Sequence, residues 1–351
     1  MRLHDGTLHD VALIHGDDAY VSLMRQLATG PIDRTPHHFD TNWEKLQYLR
    51  SRTQRLANKL AGRPAASETA ILASMVSKLV NAAETWLDNK HAITAAVISS
   101  PARIQMTREE LGDVFDFLKL RNLMAEQFSL SELYDAPAVY AGYSHRLCKT
   151  YIGAYTCEAE EAKLQDQSIL HLDFNAESLS GTISSISSVM ANSLNEAFVD
   201  PSLGFGNKDA NASDGDDSQA YWKSVSDRIR TFVKSIENRV FLPRPTQLLL
   251  TGSAAAHPRF QAAIREALQD LVSDPRTLET LRDQDPPSSD RETWRSLFNF
   301  ATARGAAEIA KRRQEGPVGC NQSDECRRRR ERVHDDREQQ VAFVHQRVSF
   351  D

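Results

Sequence analysis

Three segments put small or polar residues where an apolar strand ends, so each could do chemistry. In the first, QLLL runs into TGSAAAHPRF at 251–260. A glycine at a strand end permits a tight turn and close approach of backbone to a ligand. The helix that follows would present free N–H groups and the positive end of its dipole to an anion. In the second, ILHLDFNAES, Asp173 closes an apolar strand just before a turn. A carboxylate there could face a hydrated metal ion, or serve as a turn or capping residue. The third is a pair of helices, APAVYAGY and FATARGAAEIA, whose alanines and glycines let two helix backbones approach closely. Tight packing is the plainer reading of that pair.

Other constellations read more simply. Asp209, Asn211 and Ser213 resemble a calcium loop, but the glycine falls one place late, at Gly215, and Ala220 stands where a bidentate glutamate is needed. A solvated loop is the better reading. The same holds for His37 and His38, which share a loop with Asp33 and Asp40. No Ser/His/Asp arrangement can be argued from spacing, because such groups converge only in the fold. The four cysteines, Cys148, Cys157, Cys320 and Cys326, match neither a zinc nor a CxxC spacing and are expected to be free thiols. Asn211-Ala-Ser213 and Asn321-Gln-Ser323 fit the glycosylation triplet and read as chance matches. Arg327 to Arg330 could touch nucleic acid or act as a nuclear signal. Asp324, Glu325, Glu331, Asp335 and Asp336 dilute that charge, so a solvated tail is expected.

The chain that must position these residues has 351 of them, enough for two lobes with a core in each. A hydrophobic content of 40% and a charged content of 26% are those of an ordinary globular protein. The net charge of −6 argues against a surface devoted to nucleic acid or acidic lipid. No apolar run approaches the ~20 residues of a membrane span, and MRLHDGTLHD lacks a signal peptide's apolar stretch. A cytoplasmic protein, with a nuclear one as the variant, is expected.

The opening VALI reads as strand-like and AYVSLMRQLA as a helix. Helices are expected from Asn42 to Leu60 and from Glu68 to Asp88. AITAAVISSP then reads as one strand, TREELGDVFDFLKL as a helix, and Phe128 to Leu133 as a strand. The small-residue helix, the strand SILHLDF and its hairpin partner SGTISSISSV follow. Residues 200–218 are expected to form a mobile loop, with helices after it at Tyr221 to Asn238, HPRFQAAIREALQDL and Glu292 to Gln314. This alternation predicts an α/β layer with mixed strand directions.

Taken in order, AITAAVISSPAR, APAVYAGY, ILHLDFNAES, LLLTGSAAAHP and ARGAAEIA resemble the nucleotide-binding core of the actin-like ATPase superfamily. The likeness is closest to the ATPase domain of the seventy-kilodalton heat-shock chaperones and covers about Ile93 to Lys311. It implies a two-lobed, ribonuclease H-like α/β fold that clamps ATP or ADP with magnesium. Residues 1–165 would be an incomplete lobe I and 166–300 a reduced lobe II. A return hinge helix would span 301–318, and 319–351 would be a disordered charged tail.

Within that resemblance Gly252 keeps the family glycine of the adenosine turn, Ser253 stands where a second glycine is usual, and Pro258 keeps the helix-starting proline. Ala254 and Ala256 replace a serine and an arginine that touch the base. Asp173 matches the aspartate near the hydrated metal and would be the catalytic carboxylate; Ser178 stands at the neighbouring threonine. The glycines between them are replaced by Asn175, Ala176 and Glu177, where backbone N–H groups should close on phosphate. Ala136 replaces a glutamate near the metal, with Asp135 beside it. Asp5-Gly6-Thr7 is only a superficial match to the first phosphate loop, so that hairpin is expected upstream of Met1 or lost. The hinge would be Ala136, Pro137 and Gly142 against Gly305 and Ala306. The reading that results is a degenerate, chaperone-like pseudo-ATPase with weak or absent hydrolysis and a nucleotide-dependent switch. Its alternative is a non-enzymatic module that binds protein partners.

Overall fold

The computed structural model describes residues 1–3, 5–30, 41–104, 106–125, 133–145, 147–149, 151, 154–161, 163–189, 192–207, 216–237, 244–271 and 291–315. Its centre is a four-stranded mixed sheet in the order β7-β6-β5-β8. The strands are β5 (Gln167–Phe174), β6 (Leu179–Ile186), β7 (Asn192–Asp200) and β8 (Gln247–Thr251). β5 and β6 form an antiparallel hairpin, while β8 lies parallel to β5 with Asp173 opposite Thr251. β6 also pairs antiparallel with β7, across a bulge at Ile183 and Ser184.

Helices cover both faces of this sheet, which is why β5 is almost continuously apolar. Leu170, Leu172 and Phe174 share a core with Leu248, Leu250, α7 (Asp216–Glu237) and α8 (Pro258–Leu268). Ile169, Ile186 and Leu249 point the other way, under α5 (Asp135–Gly142) and α9 (Arg291–Glu315). A Cβ on Gly142 would stand 1.9 Å from the carbonyl oxygen of Ala301, and one on Gly305 would stand 1.7 Å from that of Ala138. The two Ala/Gly helices therefore cross backbone to backbone, as their composition predicts. The final helix runs Arg291–Glu315, against an expected Glu292 to Gln314, so the return hinge segment expected from 301 is the second part of a longer helix.

The N-terminal half is mostly helical. α1 (Asp18–Thr29), α3 (Ser67–Trp86) and α4 (Arg108–Leu118) share a core built on Leu23, Leu27, Leu72, Ala73, Leu111 and Val114. α2 (Asn42–Leu60) starts where expected, at a capping box formed by Thr41 and Glu44. AITAAVISSP is not one strand. It splits into β1 (Ala95–Ala96), parallel to β3 (Arg121–Asn122), and β2 (Ser99–Ser100), parallel to β4 (Leu133–Tyr134). Each piece finds a partner for two residues only, so no longer ladder forms. VALI forms no strand, and the one bridge nearby joins Arg2 to Leu8.

Two further expectations change. Cys148 and Cys157 are joined in a disulfide rather than free; Cys157 lies on a short helix, α6 (Ala154–Glu161), that the sequence reading lacks. Residues 201–207, expected to be mobile, form two 3-10 turns that pack on the β5–β6 turn. The expected loops holding His37, His38, Asp209, Asn211, Ser213 and Gly215, the strand at Phe128, and the tail with Cys320, Cys326 and Arg327 to Arg330 lie outside the described residues. No described helix is long and apolar enough to cross a membrane.

Candidate functional site

The parallel pairing of β5 with β8 brings Asp173 beside Thr251, and with them the turns that follow both strands. Ligand sites of α/β sheets commonly lie beyond such carboxyl ends. Asp173, Asn175, Ser178, Gly252 and Ser253 thus gather in one region, with α5 and α9 against the adjoining face.

The β5–β6 turn is satisfied from within. The Asn175 side-chain oxygen accepts from the backbone N–H groups of Glu177 and Ser178 at 2.9 and 3.0 Å. The N–H of Asn175 itself donates to the Ser178 carbonyl at 3.1 Å. From outside, the N–H groups of Phe205 and Gly206 donate to the carbonyls of Asn175 and Ala176 at 2.9 and 2.8 Å. Cβ atoms on Gly204 and Gly206 would come within 2.4 and 2.8 Å of that turn, so the 3-10 segment lies flat upon it. The amides of Asn175, Glu177 and Ser178 are thus bound to the protein, and Glu177 adds a carboxylate that Arg25 meets at 2.6 Å. ATP with magnesium does not fit this turn as it stands.

The turn after β8 is closed in a similar way. Gly252 has φ +105°, and a Cβ there would stand 2.2 Å from the carbonyl oxygen of Phe174. Its N–H donates to the Phe298 carbonyl of α9 at 3.1 Å, and that of Ala254 to the Phe174 carbonyl at 3.0 Å. Glycine is required here for both conformation and space. At the start of α8 the N-cap His257 accepts from the Arg259 N–H at 3.2 Å. The His257 ring also stacks on Trp222, with 5.1 Å between centroids. Phe174, Phe205 and Phe260 complete an aromatic cluster beside this turn. Ser253 is exposed at the turn.

Asp173 is engaged through both of its oxygens. Its Oδ1 accepts from Asn175 Nδ2 and its Oδ2 from the Thr251 hydroxyl, both at 2.7 Å. Because that hydroxyl proton goes to Asp173, Thr251 must accept from His171 Nε2, which lies 2.8 Å away. His171 is then the Nε2–H tautomer, and its buried Nδ1 has no hydrogen-bond partner. Asp135 Oδ2, at the start of α5, stands 3.5 Å from that nitrogen. The distance alone would permit an ion pair. Burial opposes it from both sides, lowering the His171 pKa from 6.5 to about 4 and raising that of Asp135 from 3.8 to about 7. The consistent arrangement is neutral, with a protonated Asp135 facing a neutral imidazole. Asp135 is also held by the N–H of Ala136 at 2.8 Å.

A polar chain therefore runs from the buried Asp135, His171 and Thr251 to Asp173 and Asn175 of the expected site. The sequence reading missed His171 and Thr251, and assigned Asp135 no buried partner. The signal was a histidine in an otherwise apolar strand, two residues before Asp173 and so on the same face. Of the hinge residues, Ala136, Pro137 and Ala306 are buried, and Gly142 and Gly305 form the helix crossing. Among the described residues the donors that converge closely enough to hold a metal ion are Cys148, Cys157 and Glu161, not Asp173, and two of these are bonded to each other.

No family model matches this chain, and no curated protein matches it in sequence.

Proposed function

We propose that this chain is a degenerate, chaperone-like member of the actin-like ATPase superfamily that does not turn over ATP and serves as a protein-interaction module. Support for the family comes from the ordered segments: a parallel strand pair ending in Asp173 and Thr251, the glycine turn at Gly252, and two small-residue helices crossing at Gly142 and Gly305. The observation that carries the loss of hydrolysis is the Asn175 side chain, which holds the Glu177 and Ser178 amides that a phosphate would need. Opening that turn would break those bonds, and each charge-assisted hydrogen bond that phosphate then fails to make is worth about 1.5–3 kcal/mol. Asp173, with both oxygens occupied, is a structural anchor between β5, β8 and their turns.

Calorimetric titration with ATP and magnesium, beside a phosphate-release assay, tests this reading. No heat, no thermal shift and no turnover at millimolar ATP are expected. Turnover abolished by Asp173→Ala would restore an enzyme. Nucleotide-dependent stabilisation without turnover, lost in Gly252→Val, would instead establish the switch, in which ATP biases closure about Ala136–Gly142 and Gly305–Ala307.

A further inference from the structure

α2 is amphipathic, yet it turns its charged side inward. Arg55 and Lys59 pair with Asp113 of α4, Lys59 reaches Asp116 at 2.6 Å, and Arg52 lies 3.6 Å from Glu109. Asn58 Nδ2 donates to the Ala65 carbonyl at 3.0 Å. No residue of the helix is buried. Its large apolar side chains face solvent, with Trp43 65%, Leu46 56%, Leu49 50%, Leu56 58% and Leu60 81% exposed. Exposed leucines in ones or twos need no explanation, but a row of them along one helix does.

Their spacing indicates what would cover them. Leu46, Leu49, Thr53, Leu56 and Leu60 alternate at steps of three and four residues, the a/d seam of a coiled coil. Such a seam takes knobs from another helix. The positions flanking it are Trp43, Lys45, Arg50, Arg52, Ala57 and Lys59, with no acid among them. Arg52 and Lys59 already meet carboxylates of α4, and a parallel second copy of α2 would set Lys45 against Arg50 with no acid at the seam to separate them. The chain's own residues 341–350, VAFVHQRVSF, carry no carboxylate to answer them.

We propose that the exposed seam of α2 is a docking surface for an acidic amphipathic helix of a partner protein, leucine-type side chains filling the seam and carboxylates meeting Lys45 and Arg50. This deepens the interaction-module reading and rests on it. It does not depend on the nucleotide result, because the carboxylates that α2 pairs with belong to α4 and not to the β5–β8 turns.

The test uses the full chain and a labelled peptide of about three heptads, with leucine at a and d and glutamate at e and g. A twin peptide carries lysine at e and g. The glutamate peptide is expected to bind, more weakly as salt rises, and at least about tenfold more weakly to Leu49→Glu/Leu56→Glu. The double variant changes exposed side chains only, so its circular dichroism should match the parent. If it does not, Leu49→Ala/Leu56→Ala serves in its place. Equal binding of both peptides, or none of the glutamate peptide, overturns the proposal. So does a dimer in sedimentation that the double variant dissociates, which would assign the seam to a second copy. Association with phosphatidylserine vesicles in preference to the glutamate peptide would assign it to lipid and overturn the proposal as well.

Discussion

At the scale of single residues, Asp135 and His171 make the sharpest statement, because burial moves their titrations in opposite directions. A histidine whose folded pKa falls from 6.5 to about 4 stabilises the fold above pH 6.5 and ceases to as pH drops through 4. A carboxyl raised from 3.8 to about 7 does the reverse, stabilising at low pH and losing that contribution as pH rises through 7. Between pH 4 and 6.5 the unfolded pair holds its one proton on His171, and the folded pair holds it on Asp135. The proton count is the same in both states, so the pair contributes almost no pH dependence there. Single variants should uncover the hidden slopes. In Asp135→Asn, stability should rise by about 3 kcal/mol as pH climbs through the histidine window. In His171→Gln it should fall by about 4 kcal/mol from pH 4 to 7. Urea midpoints collected across that range check both, and two flat profiles would rule out the neutral pair.

Among the elements, the crossing of α5 and α9 depends on two glycines whose hydrogens face backbone carbonyls. Those carbonyls cannot rotate away as a side-chain tip can. Gly142→Ala and Gly305→Ala should each destabilise by about 3 kcal/mol or more, through overpacking that pushes the helices apart. Gly112, within α4, is the control. A Cβ there meets nothing within 4 Å. Gly112→Ala should therefore stabilise by about 0.5–1 kcal/mol, by removing unfolded-state freedom and improving helix propensity. Thermal or chemical denaturation of the three variants gives the comparison directly. This contrast also marks what the sequence could reveal. The Ala/Gly pattern announced a close helix crossing, and the Thr41 and Glu44 box fixed where α2 starts. The failures were strands, since AITAAVISSP has strand composition yet pairs for two residues at a time. Composition cannot report the length of a partner far along the chain.

On the scale of the whole molecule, α9 is the strut that distant segments share. It packs on α5, receives the Gly252 N–H at Phe298, and binds the N-terminal segment through Asp10, which accepts from Arg304 Nε at 3.0 Å and from Ser296 at 2.6 Å. Near its end Arg312 donates to the Cys148 carbonyl, lies 3.6 Å from the Cys148 sulfur, and stands 4.7 Å above the Tyr151 ring. Candidate-site residues near one another in sequence, such as Asp173 and Asn175, were legible. The Thr251–Asp173 bond and the disulfide were not, because each depends on which strands or helices become neighbours. The disulfide closes a span of nine residues, and loop-closure entropy assigns such a link about 2–3 kcal/mol. A reductant should lower the urea midpoint by that amount. Cys157→Ser should lower it equally and show no further response to reductant, leaving Cys320 and Cys326 unable to account for the effect. Alkylation followed by mass measurement should find two more modified thiols after reduction than before. An unchanged midpoint despite that gain would mean that the packing around Arg312 and Tyr151, rather than the covalent link, keeps this corner of the molecule against α9.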